Sequence, residues 1–132
     1  MTSRRAFLHT LGIGLAATAI GLPAMAAGSK PFDASAFAAA QAAGKPILVE
    51  VTAPWCPTCK AQKPILSGLA AKPKFKDLVM FQIDFDSQKD LLKKFEVFMQ
   101  STLIAFKGAK ETGRSTGDTN AASIEALLDK TV

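Results

Sequence analysis

The chain has two cysteines, Cys56 and Cys59, held two residues apart in Trp55-Cys56-Pro57-Thr58-Cys59-Lys60, where an apolar β-branched run gives way to a helical pattern. Cysteines so spaced at a strand-to-helix junction can pass between dithiol and disulfide. If the helix opens at Pro57, Cys56 lies at its N-terminal edge, where unpaired backbone N–H groups and the helix dipole favour a negative charge. An ordinary thiol has a pKa of ~8.5, and such a setting commonly lowers it into the range ~3.5–7.5. Pro57 suits the first turn because its missing N–H costs nothing there. Cys59 lies one turn further on and on the same side, within reach of a mixed disulfide at Cys56. The expected chemistry is thiol–disulfide exchange. The Cys56 thiolate attacks a substrate disulfide, and Cys59 resolves the adduct by displacing the reduced substrate, leaving a Cys56–Cys59 disulfide. Run backwards, the same steps oxidise a dithiol.

Two other uses of the pair compete with exchange. A purely structural disulfide closing so short a loop adds little stability. A metal site lacks ligands, because two thiolates with no other cysteine cannot complete a closed tetrahedral shell, although two copies of the chain or a soft metal held by two sulfurs would escape that objection. No metal site and no cofactor is read from the sequence.

The elements that must position the pair follow from local pattern. Asp33 is a good cap for a helix over 34–43, with Gly44 where helices commonly stop. Pro46 opens a strand over 47–52 that is apolar on both faces apart from Glu50, as a central, doubly covered strand would be. Ile65, Leu66 and Leu69 extend the helix after the cysteines to about residue 71, with Pro64 inside it and expected to bend it. A second buried strand is expected over 78–83, a helix over 87–95, a third strand over 102–106, an edge strand over 111–116 that Gly113 weakens, and a terminal helix over 121–130. This order of helices and strands predicts an α/β fold, a mixed sheet flanked by helices on both faces.

Before this region the chain opens with Ser3-Arg4-Arg5-Ala6-Phe7-Leu8, continues through an apolar run to Pro23, and offers Ala24-Met25-Ala26. A positive start, an apolar middle of roughly fifteen residues and small residues before a cut read as a cleavable export signal. The paired arginines followed by x-Phe-Leu resemble the bacterial twin-arginine signal, with His9 where a lysine is more usual. The run falls short of the ~20 residues of a spanning helix, and glycines thin it, so export to the periplasm with cleavage after Ala26 is preferred to an uncleaved anchor. The expected organisation is a signal over 1–26 and one domain over 27–132, long enough for a single core. The net charge is +5. The leader takes Arg4 and Arg5 with it and no acid, leaving +3 on scattered lysines, so nucleic-acid binding has no support. His9 is the single histidine, so the exported part has none and His-based catalysis is excluded.

Across nearly all of the exported part the residues resemble the thioredoxin family. Lys45-Pro46-Ile47-Leu48-Val49-Glu50-Val51 followed by Ala53-Pro54-Trp55-Cys56, then Lys60 and Pro64-Ile65-Leu66, look like that family's central strand, active-site loop and kinked helix. The resemblance implies a thioredoxin fold. It places Glu50 on the family's buried acid beneath Cys59, a proton acceptor and donor whose pKa burial would raise. It makes Trp55 a shield for the disulfide and a surface for a partner, a role that competes with ordinary packing, with Pro57, Gln100, Ser101 and Thr102 beside the bound substrate. The departure is at Ser101, where the family has a cis-proline. A cis bond before a non-proline residue costs ~3–4 kcal/mol, so a trans Gln100–Ser101 peptide is expected, in a changed loop that puts the hydroxyl near the sulfurs. Phe98 and Met99, just before this loop, suit either a partner surface or core packing.

The resulting expectation is a monomeric periplasmic thiol–disulfide oxidoreductase that acts on protein disulfide or dithiol substrates, more as a reductase recharged by a membrane electron donor than as an oxidase. A copper- or client-binding module of the same fold with little exchange activity is the alternative.

Overall fold

The computed structural model describes residues 28–132. The export signal expected over 1–26, its cut after Ala26 and the first domain residue lie outside the described residues. In chain order come β1 (Lys30–Pro31), α1 (Ala34–Ala42), β2 (Pro46–Thr52), α2 (Pro57–Ala70), a 3₁₀ turn (Pro73–Phe75), β3 (Val79–Asp84), α3 (Lys89–Lys94), β4 (Thr102–Lys107), β5 (Lys110–Thr116) and α4 (Ala121–Asp129). The expected helices and strands are present with ends shifted by a few residues. Two elements were not foreseen: the two-residue β1 and the 3₁₀ turn. Neither is long enough to show a period, and Pro31 fits only an edge.

The five strands form one sheet in the order β1-β3-β2-β4-β5. β2 runs parallel to β3 and antiparallel to β4, so the sheet is mixed with β2 at its centre. Because side chains alternate along β2, its residues divide between two cores. Ile47, Val49 and Val51 face α1 and α3, packing with Phe37, Phe81, Phe95 and Phe106. Leu48 faces α2 and α4, packing with Leu66, Leu69, Ile124 and Leu128. Glu50 is on the same parity as Leu48 and therefore lies on the α2 side.

Local signals account for the ends. Asp33 Oδ1 accepts the Ala36 N–H at 2.7 Å to cap α1, and Gly44 follows that helix with φ +69°. Asn120 caps α4 through the Ser123 N–H at 3.0 Å. The helix after the cysteines continues through Pro64 to Ala70. The register of β4 with β5 skips Thr112, a bulge that gives β5 one extra residue. Gly113, just beyond it, lies close against α4: a Cβ there would stand 3.0 Å from Leu127 Cδ1, which would have to give by a few tenths of an ångström.

Candidate active site

β2 ends at Thr52, and residues 53–56 lead directly into α2. Cys56 is the N-cap of that helix in extended backbone conformation, its carbonyl accepting the Lys60 N–H at 3.2 Å and its Sγ accepting the Cys59 N–H at 3.1 Å. A helix-terminal N–H, that of Cys59, thus points at this sulfur, the setting that stabilises a thiolate once the bond is opened. Cys56 and Cys59 are joined as a disulfide with Cα atoms 5.3 Å apart, inside the usual span. Both are buried, Cys56 at 1% exposure and Cys59 at 3%. Sequence reasoning places Cys59, further into the helix, as the more buried of the two; the structure buries both alike, with Ala53 and Phe85 packed against the pair.

Glu50 is buried on the α2 side of the sheet. It shares with Cys59, Gln62 and Lys63 a cavity of about 10 Å³, close to the least volume that accepts one water. A second, wider pocket of about 210 Å³ reaches the same carboxyl from outside and is lined by Ser29, Lys63 and Gln82 among others. Burial raises the pKa of Glu50, while the Ser29 hydroxyl and the Lys63 charge beside it pull the other way. Ser29 makes no hydrogen bond of full geometry, so burial dominates.

Trp55 is 55% exposed, and its indole N–H is donated to Asp86 Oδ2 at 2.8 Å. The ring is therefore a surface feature rather than a packing residue. Asp86 is placed by Asp84, whose Oδ1 accepts the N–H groups of Asp86 (2.8 Å) and Ser87 (3.0 Å), bonds that lower the Asp84 pKa. Phe98 (85% exposed) and Met99 (53%) are likewise outside, against the core-packing reading of the pair.

No peptide bond among the described residues is cis, so Gln100–Ser101 is trans as expected. Ser101 has φ +57°, the left-handed region that a side chain disfavours. Its N–H is donated to the Val51 carbonyl at 2.8 Å, and that same carbonyl lies 4.0 Å from Cys59 Sγ. The loop is thereby set beside the disulfide. The Ser101 hydroxyl, expected near the sulfurs, is donated to the Gln100 carbonyl at 2.6 Å. Thr102 Oγ1 is donated to the Met99 carbonyl at 2.8 Å. Pro57 occupies the first turn of α2.

Gln62, buried in α2, was missed in the sequence. Its Nε2 is donated to the carbonyls of Ser101 (3.2 Å) and Asp118 (2.8 Å). The available signal was a polar residue in the series Cys59, Gln62, Leu66, Leu69, which is the buried face of α2. Asp86 and Lys63 gave no comparable signal. Among the described residues no group of three or more His, Cys, Asp and Glu side chains is gathered as a metal site.

A disulfide across the first turn of a helix, at the end of a central strand with a buried acid, defines a protein built to open and close that bond. Comparison with known proteins agrees. The thioredoxin family model matches residues 29–130, and the chain belongs to the thioredoxin family. It is 35% identical over 96 residues to thioredoxin-2 of Saccharomyces cerevisiae, covering 72% of this chain and 90% of that one. It is 32% identical over 92 residues to the bifunctional thioredoxin reductase/thioredoxin of Mycobacterium leprae, of which it spans 20%. The crystal structure of Trxlp from Edwardsiella tarda is similar at 42% identity and a TM-score of 0.74, covering 76% of this chain and 98% of that one.

Proposed function

We propose that this protein is a periplasmic thiol–disulfide oxidoreductase that reduces protein disulfides through Cys56 and Cys59 and is recharged by a membrane electron donor. Membership of the thioredoxin family and the disulfide-capable pair support exchange chemistry. The observation that carries the exchange reading is the buried Glu50 sharing a cavity with Cys59; the likeness to thioredoxins supports the reductive direction.

In the dithiol form, Cys56 attacks a sulfur of the substrate disulfide. One new S–S bond forms, the substrate bond breaks, and the leaving sulfur departs as a thiol after protonation. Cys59 must then lose its proton to attack the mixed disulfide. Glu50 accepts that proton, directly or through one water, and a carboxyl whose pKa is raised toward the working pH is suited to take it and give it back. The substrate's second sulfur leaves, and two electrons have moved from the pair to the substrate. Trp55, Phe98 and Met99 supply exposed apolar area for the polypeptide that carries the disulfide.

The Arg4-Arg5 start and the apolar run that follows support export. Replacing both arginines with lysine is expected to retain the full chain in the cytoplasm, as fractionation would read.

The direct test is Cys59→Ala. It should trap a mixed disulfide between Cys56 and extracytoplasmic proteins, and the unmodified domain should reduce insulin. No adduct together with inertness toward insulin would sink the proposal. A reduction potential near ~−270 mV agrees with a reductant, and one near ~−120 mV would reassign the protein as an oxidase. A module that holds copper or a client with little exchange is favoured by one observation: the polar groups of Ser101 are engaged by internal partners. Rapid insulin turnover excludes that reading.

A further inference from the structure

Ser101 stays in a left-handed conformation that costs a non-glycine residue of order 1–3 kcal/mol, so something must hold it there. Its N–H is fixed by Val51, and its carbonyl accepts the Gly117 N–H at 3.0 Å as well as Gln62 Nε2 at 3.2 Å. Two of these three bonds come from backbone, and the one side chain in the set is Gln62. The same amide group reaches the Asp118 carbonyl at 2.8 Å, so both of its donor hydrogens are used on segments 39 and 56 residues away. One buried side chain therefore ties α2, which carries both sulfurs, to the loop after Met99 and to the segment entering α4. The exposed Phe98 and Met99 hang from this loop, Met99 through its carbonyl bond to Thr102.

We propose that Gln62 is a positioning residue: it clamps the Ser101 loop to α2 and so fixes where a polypeptide disulfide meets Cys56, without itself touching the sulfurs. The inference rests on the exchange activity proposed above and adds a determinant of substrate class. A polypeptide must lie across Trp55 and the Phe98–Met99 limb while its disulfide reaches Cys56. A small organic disulfide needs only the sulfur. Loosening the clamp should cost the first and spare the second.

The test compares the unsubstituted domain with Gln62→Met, which keeps the volume and removes both donors, and with Gln62→Leu as a second variant. Two measurements are made. In the first, amide hydrogen exchange at Ser101 is compared with that at Phe81 in the central sheet, so that global destabilisation is discounted. Ser101 is expected to exchange faster in the variants while Phe81 follows overall stability. In the second, kcat/KM for insulin is expected to fall about fivefold to tenfold, the lower end of the scale for two buried hydrogen bonds lost, while kcat/KM for 2-hydroxyethyl disulfide stays within about twofold. Equal loss on the two disulfides, no loss on insulin, or unchanged Ser101 exchange would each overturn the inference and leave the exchange reading standing. Inertness of the unsubstituted domain toward both disulfides would overturn the exchange reading and the substrate-class role with it.

Discussion

Ser101 combines a strained backbone with a full set of internal partners, which makes it sensitive to what replaces it. Glycine adopts φ +57° freely, so Ser101→Gly should change stability by less than about 1 kcal/mol, the strain relieved being offset by the lost hydroxyl bond to Gln100 and a more flexible unfolded chain. Proline cannot take a positive φ and has no N–H for the Val51 carbonyl, so Ser101→Pro should cost about 2–4 kcal/mol unless the loop is rebuilt. Chemical denaturation of the two variants checks this pair. Glu50 gives a pH-dependent case. Its folded-state pKa is raised above 4.5 by burial, so the folded form binds the proton more tightly than the unfolded chain. That contribution to stability is full below 4.5 and is lost as pH rises through the folded-state value, above which a buried carboxylate is a standing cost. Glu50→Gln should therefore raise Tm on the alkaline side of that titration and leave it little changed below 4.5. The same variant should slow disulfide reduction, separating stability from proton transfer.

α2 carries the chemistry, and its own residues leave room for improvement. Gly68 lies in its last turns, with nothing within 4 Å of where a Cβ would be. Gly68→Ala should stabilise the domain by about 0.5–1 kcal/mol through helix propensity and a less flexible unfolded chain. A rise in Tm with unchanged insulin reduction would check it. At α1 the opposite holds. Asp33→Ala removes the acceptor for the Ala36 N–H and should cost about 1 kcal/mol. The starts of α1 and α2 were legible because caps and prolines act within three or four residues, whereas α3, which has no side-chain cap, starts two residues later than expected. The 3₁₀ turn and β1 were not, since elements of three and two residues carry no period.

The molecule holds its site by packing two cores against opposite faces of one sheet. On the α1/α3 face Phe32, Phe37, Phe81, Phe95 and Phe106 contact one another with centroids 5.2 to 6.2 Å apart, mostly edge to face. Phe37 contacts the other four, and Phe81 is fully buried among them. Phe81→Ala should cost about 3–5 kcal/mol, a large share of a small domain's stability, and thermal melts would report it. The α2/α4 face takes Leu48 and, two residues along, the single acid of β2. Glu50 thereby lies under Cys59.

Cys56, Cys59, the cap of their helix and the apolar setting of Glu50 are written in runs of a few residues, because spacing, capping and alternation are local rules. The partners of Trp55, Gln62 and Ser101 are not. Asp86 is 31 residues from Trp55, and the carbonyls that Gln62 binds are 39 and 56 residues away. No periodicity links such positions, and their hydrogen bonds exist only because the strand order brings the ends of β2, β3 and β4 together beside one helix. The reagents of the chemistry are thus encoded locally, whereas the frame that aims them is created when distant backbone segments close on a buried side chain.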